Sequence, residues 1–125
     1  MNFRNGEKEV NRTLKLNHLN LTVTNVEASK EFLEKYFGMR CAGSRGSGFA
    51  AMFDDDGFVL TLMKGKNVEY PQTFHIGFPQ ENKEKVDELN KRLKQDGFEV
   101  EPPIEAHGYT FYVQAPGGFT NEILA

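Results

Sequence analysis

Two stretches of the chain alternate apolar and polar residues with a period of two. In residues 16–23, Leu19, Leu21 and Val23 fall on one side while His18, Asn20 and Thr22 fall on the other, as expected for a half-buried strand. In residues 73–78, Phe74, Ile76 and Phe78 share one face and His75 lies on the opposite one. Each stretch is followed by a helical period. After the first, Val26, Ser29, Phe32, Leu33 and Tyr36 form an apolar stripe. Thr24 or Asn25 is placed to cap that helix, Glu27 occupies its first turn, and Gly38 sits where a left-handed residue ends it. After the second, residues 81–95 carry Val86, Leu89 and Leu93 as an inner line and stop at Asp96-Gly97.

Three strands are predicted after each helix. Residues 39–44, 49–53 and 58–63 supply the first set, separated by Gly43, Gly46 and Gly48 and by the turn Asp54-Asp55-Asp56-Gly57. Residues 98–100, 109–114 and 119–124 supply the second, with Pro102-Pro103 stopping one strand and Pro116-Gly117-Gly118 turning into the last. The order β-α-β-β-β thus occurs twice, in modules spanning 14–64 and 73–125 joined by a linker over 65–72. The fold class is α+β, one domain over 14–125, and residues 1–13 read as a polar N-terminal tail.

The two modules align on their own landmarks. Gly57-Phe58 opens the last strand of the first and Gly118-Phe119 opens the last strand of the second, so Thr61 corresponds to Glu122. Each module then offers two equivalent positions: His18 and Thr61, then His75 and Glu122. A single histidine on the polar side of a strand is commonly a surface residue, and an acid near a C-terminus is commonly solvated. The duplicated placement favours a different reading, in which two imidazoles and one carboxylate meet at one metal. That ligand set leaves positions open and suits Fe(II), Mn(II), Co(II), Ni(II) or Zn(II). Such an ion can hold and polarise two oxygens of a substrate.

Composition narrows the partners. The chain of 125 residues is long enough for a real core, and its net charge of −3, without a basic block, argues against nucleic acid and anionic membranes. Eleven phenylalanines and no tryptophan point to an aromatic core or pocket. With Cys41 as the single cysteine no intrachain disulfide can form, and with no apolar run suited to a bilayer or secretion signal, the expected location is the cytoplasm. His107, in the glycine-flanked loop Glu105-Ala106-His107-Gly108, could reach over a pocket as acid or base, or be an exposed loop residue. Tyr109, Phe111 and Tyr112 read as strand aromatics, one face core and the other pocket wall. Gly43-Ser44-Arg45-Gly46-Ser47-Gly48 lacks the lysine of a nucleotide-binding loop, and the aspartate run lacks calcium-loop spacing.

Together, Leu16-Asn17-His18-Leu19, the helix end Tyr36-Phe37-Gly38-Met39, Phe74-His75-Ile76-Gly77-Phe78, and Phe111-Tyr112-Val113-Gln114-Ala115-Pro116-Gly117-Gly118 leading to Glu122 resemble the vicinal-oxygen-chelate superfamily. That superfamily includes glyoxalase I, extradiol dioxygenases, fosfomycin-resistance enzymes and bleomycin-resistance proteins. The resemblance implies paired modules whose curled mixed sheets enclose a cleft with helices outside, a divalent metal in that cleft, and often a homodimer whose sites draw on modules of two chains. Within it, Thr61 stands where glyoxalase I usually has a fourth ligand. Asn20 stands where fosfomycin enzymes have a catalytic threonine, and the 105–108 loop has no lysine. The expectation is a metal-dependent enzyme of lyase, isomerase or thiol-transfer type acting on a small oxygenated molecule. His18, His75 and Glu122 would be ligands, Glu122, His107 and Tyr109 catalytic candidates, and Asn20 and Thr61 pocket residues. The competing expectation is a metal-free binder of the bleomycin-resistance type that sequesters a small molecule in a dimer groove.

Overall fold

The computed structural model describes residues 12–125, and the predicted tail over 1–13 lies largely outside the described residues. The elements run β1 (His18–Val23), α1 (Val26–Phe37), β2 (Arg40–Arg45), β3 (Phe49–Phe53), β4 (Val59–Lys64), β5 (Ile76–Pro79), α2 (Lys83–Gln95), β6 (Ile104–Glu105), β7 (Tyr109–Gln114) and β8 (Thr120–Leu124). They form two separate four-stranded mixed sheets, ordered β1-β4-β3-β2 and β5-β8-β7-β6. In each sheet the module's first strand pairs in parallel with its last, and the remaining neighbours are antiparallel. The duplication read from the sequence is therefore a duplication of topology.

Local chemistry accounts for both helices. Asn25 caps α1 by accepting from the Ala28 amide, and Gly38 ends it at φ +69°, donating to the carbonyls of Glu34 and Leu33. Its buried side chains are the predicted stripe, Val26, Ser29, Phe32, Leu33 and Tyr36. Asn82 caps α2 through the Lys85 amide, and Val86, Leu89 and Leu93 face inward. One predicted strand is absent. Residues 98–100 form no ladder, and the short β6 lies instead beyond Pro102-Pro103, at Ile104–Glu105. Phe98 is spent on packing: its ring lies 5.4 Å from Phe32 and 5.5 Å from Tyr36, binding the second module to α1.

Other contacts tie the modules together. The Thr24 amide donates to Gly117 O at 3.1 Å and Ser29 Oγ to Pro116 O at 2.7 Å. Tyr36 Oη donates to Asp96 Oδ2 at 2.6 Å, and Phe37 stacks on Phe78 with centroids 4.0 Å apart. One apolar core runs through both modules, from Leu21, Leu33 and Met52 to Leu93, Phe119 and Ile123. The helices cover one face of each sheet. The opposite faces carry His18 on one sheet and Glu122 on the other. No helix among the described residues is long and apolar enough to cross a membrane.

Candidate functional site

On β8, alternation sends Asn121 and Ile123 into the core and Thr120, Glu122 and Leu124 to the other face. Glu122 lies across from Gly77 on β5 and from Tyr112 on β7. His75, two residues before Gly77, turns to the same side. Its Nδ1 donates to the Thr73 carbonyl at 2.9 Å, and its Nε2 stands 3.2 Å from Glu122 Oε1. The other carboxylate oxygen, Oε2, accepts from Thr110 Oγ1 at 2.6 Å and from His107 Nε2 at 2.5 Å. Tyr112 stands edge-on to His75 with ring centroids 5.4 Å apart. Beside them a cleft of about 410 Å³ is lined by Gln72, Thr73, His75, Tyr112, Gln114 and Thr120.

Glu122 is buried, only 4% exposed. Burial, the largest influence, pushes its carboxyl up. The Thr110 hydroxyl, the His107 hydrogen bond and the charges of His107 and His75 outweigh it, so the group titrates below the ordinary carboxylate value. Burial, then the neighbouring Glu122 charge, holds the Tyr112 phenol above its ordinary range.

The fold brings together three of the predicted site residues, His75, Glu122 and His107. His107 and His75 take different oxygens of the carboxylate, so they bracket it rather than converge. Among the described residues no group of three or more His, Cys, Asp or Glu side chains within one chain is placed to hold a metal. His18 is on the other sheet, exposed, with its Nδ1 donating to Asn17 Oδ1 at 2.7 Å. Thr61 Oγ1 donates to Asn20 Oδ1 at 2.7 Å, and the pair lies across the β1–β4 ladder on the His18 face. Tyr109 points away from Glu122. It lies on the core side of β7, where its hydroxyl donates to Asp87 Oδ1 on α2 at 2.7 Å. Sequence reasoning missed Thr110, and it left open which face Tyr112 takes. Once Phe111 and Val113 are assigned to the core, period-two phase places Thr110 and Tyr112 beside Glu122.

The register repeats between modules. Asn20, two residues after His18, pairs with Thr61, and Gly77, two residues after His75, pairs with Glu122. The family model for the Glyoxalase/Bleomycin resistance protein/Dioxygenase superfamily matches residues 15–123. The chain belongs to that superfamily. A solved structure described as a possible glyoxalase from Bacillus cereus is 63% identical, with a TM-score of 0.87, covering 90% of this chain and all of that one. The fosfomycin resistance protein FosX from Listeria monocytogenes, solved with Mn(II) and 1S,2S-dihydroxypropylphosphonic acid, shares the fold. It is 23% identical, with a TM-score of 0.78 over 91% of this chain and 94% of its own. A probable trivalent organoarsenical cleaving enzyme of Bacillus subtilis (strain 168) is 29% identical over 85 residues. That match takes in 68% of this chain but only 58% of the enzyme's length.

FosX was solved with Mn(II), and on the Glu122 face of this chain one imidazole nitrogen and one carboxylate oxygen, both donor types that divalent metals accept, lie side by side. Because the Thr73 carbonyl takes the proton on Nδ1, a neutral His75 turns a bare lone pair toward the carboxylate at Nε2. Two electron-rich atoms 3.2 Å apart repel unless a proton or a cation lies between them. A carbonyl on the far nitrogen fixes the tautomer and ring orientation of a histidine. His18 repeats the arrangement with Nδ1 on the Asn17 side-chain oxygen.

Proposed function

We propose that this protein is a metal-dependent enzyme of the superfamily that binds a small oxygenated substrate at a divalent cation. His75 Nε2 and Glu122 Oε1 would hold the ion on one side and His18 Nε2 on the other. The observation that carries this reading is the His75–Glu122 approach with Nδ1 already engaged. Because His18 lies on a different sheet, the complete set calls for a second copy, whose first module would face this second module. The exposure of the His18 face supports that assembly: Met63 is 47% exposed there, with Phe49, Ala51 and Phe53 half-buried on the same side. Leu14 and Leu16, 97% and 79% exposed just before β1, also call for a cover.

When bound, such an ion acts as a Lewis acid on substrate oxygens. The chain's own residues do the rest. Tyr112 and Gln114 wall the cleft and orient the substrate, while Asn20 and Thr61 present an amide and a hydroxyl from the facing module. His107, anchored on Glu122 through Nε2 with its side chain 57% exposed, would take or return a proton through its second ring nitrogen. The reaction classes that fit are lyase, isomerase or thiol-transfer chemistry on a molecule with adjacent oxygens. An arsenical substrate fits less well. Trivalent arsenic seeks soft thiolates, and the chain's single thiol, Cys41, pairs with the buried Met52 on the core side of its sheet, opposite the His18 face, and turns to the Gly43 carbonyl.

Elemental analysis of protein purified without chelator tests the reading. About one divalent ion per chain, lost in His75→Ala, is expected. Protein without metal, and with no gain in melting temperature from Mn(II), Ni(II) or Zn(II), would instead favour a metal-free small-molecule binder. Activity on methylglyoxal–thiol adducts, on fosfomycin with several thiols and on catechols would then name the substrate class.

A further inference from the structure

We propose that Thr110 and His107 are positioning residues that lock the rotation of the Glu122 carboxylate, engaging Oε2 and leaving Oε1 alone to serve a cation. This rests on the metal reading above and adds how the chain prepares its acidic ligand. Both donors converge on one oxygen: Thr110 Oγ1 at 2.6 Å and His107 Nε2 at 2.5 Å from Oε2, while Oε1 faces His75. Thr110 is 2% exposed, so water does not compete for its hydroxyl.

His107 is more exposed, but its loop is pinned. The Ala106 amide donates to the Gly108 carbonyl at 2.8 Å, closing the turn around His107. Tyr109 and Ala125 exchange backbone hydrogen bonds of 2.8 and 3.0 Å, and a Cβ on Gly108 would lie 3.3 Å from the Ala125 carbonyl oxygen. On the flanks, Glu105 pairs with Lys83 and Tyr109 Oη with Asp87, so both sides of the loop are tied to α2.

The consequence is chemical. A freely rotating carboxylate can offer a cation either oxygen or both, and taking both uses two coordination positions. A carboxylate whose second oxygen already accepts two hydrogen bonds offers one, which keeps positions open for the oxygens of a substrate. Partners of this kind are typically worth about 10–100-fold in metal affinity.

The test is Mn(II) titration of the full chain, followed by the electron paramagnetic resonance of the free ion, for the parent and Thr110→Val, Thr110→Ser, His107→Ala and His75→Ala. Thr110→Val and His107→Ala are expected to weaken Mn(II) by about 10–100-fold, while Thr110→Ser, which keeps the hydroxyl, stays near the parent. Metal-free melting temperatures identify any variant that fails to fold, and His107→Ala, which removes an exposed ring, keeps the test decisive if Thr110→Val does not. Parent-like affinity in Thr110→Val and His107→Ala, with binding lost in His75→Ala, would overturn the lock but keep the metal site. A parent that takes up no Mn(II) would overturn both.

Discussion

His75 meets Glu122 nitrogen to oxygen at 3.2 Å, with its other nitrogen committed to the Thr73 carbonyl. Glu122→Gln keeps the shape and one hydrogen-bonding oxygen but removes the charge. If the pair holds a cation, that charge carries much of the affinity. A ligand at a hundred times its Kd raises stability by about 2.7 kcal/mol. That gain, read as the rise in melting temperature with added Mn(II), is expected in the parent and absent in Glu122→Gln. An undiminished rise in the variant would remove Glu122 from the ligand set.

The joint between the modules has a steric test. Gly117 adopts φ +107°, and a Cβ there would come within 2.2 Å of Ser29 Oγ and 3.1 Å of Val23 Cβ. Its neighbour Gly118, at φ +100°, would place a Cβ no nearer than 3.8 Å to any side chain. Gly118→Ala therefore carries the backbone penalty alone, about 1–2 kcal/mol. Gly117→Ala adds overpacking and loss of the Ser29–Pro116 hydrogen bond, roughly 3 kcal/mol or more in total. Denaturant unfolding of the two variants should rank them in that order; equal losses would mean that the contact yields.

Much of this was legible because α1 and β1 obey local rules. Asn25, Gly38 and the Val26-to-Tyr36 stripe specify a capped amphipathic helix, and the predicted strands at 49–53 and 109–114 match β3 and β7. Two elements were not legible. Phe98 to Val100 carry strand-like residues, yet Phe98 is drawn into a cluster with Phe32 and Tyr36 from sixty residues upstream, a pairing that local pattern does not contain. At the site, alternation put Glu122 on a defined face, but its partners depend on register between strands. Tyr109 and Tyr112 look equivalent in sequence. Only the docking of α2 on the Tyr109 side, with Asp87 taking the hydroxyl, leaves Tyr112 for the cleft.

Acid should loosen the same joint. The Tyr36 hydroxyl is the main influence holding the Asp96 carboxyl below its ordinary value of 3.8; desolvation, the next largest, opposes it, and Lys35 and Arg92 add to the lowering. A carboxyl lowered on folding stabilises the folded state above its unfolded pKa, and that stability is lost as pH falls through the lower folded value. The wild type should therefore lose melting temperature below about pH 4 more steeply than Tyr36→Phe. The difference should be modest, because Asp96 is partly solvated. Parallel acid limbs in the two proteins would show that the Tyr36–Asp96 hydrogen bond contributes nothing to the linkage.

If the centre draws His18 from one copy and His75 with Glu122 from another, ligand variants should complement each other in trans. His18→Ala and His75→Ala alone each damage every site. In a mixed dimer both lesions fall in the same site and the other site is intact. Random exchange makes half of the dimers mixed, so about a quarter of the parent's metal content and activity should return after the two variants are unfolded and refolded together. The sequence gives His18 and His75 matching places in matching modules, and the structure puts His18 on one sheet and His75 immediately before the first strand of the other. Recovery in the mixture would reconcile these facts. No recovery, with His18→Ala alone retaining its metal and His75→Ala losing it, would place the centre on the Glu122 side alone and remove His18 from it.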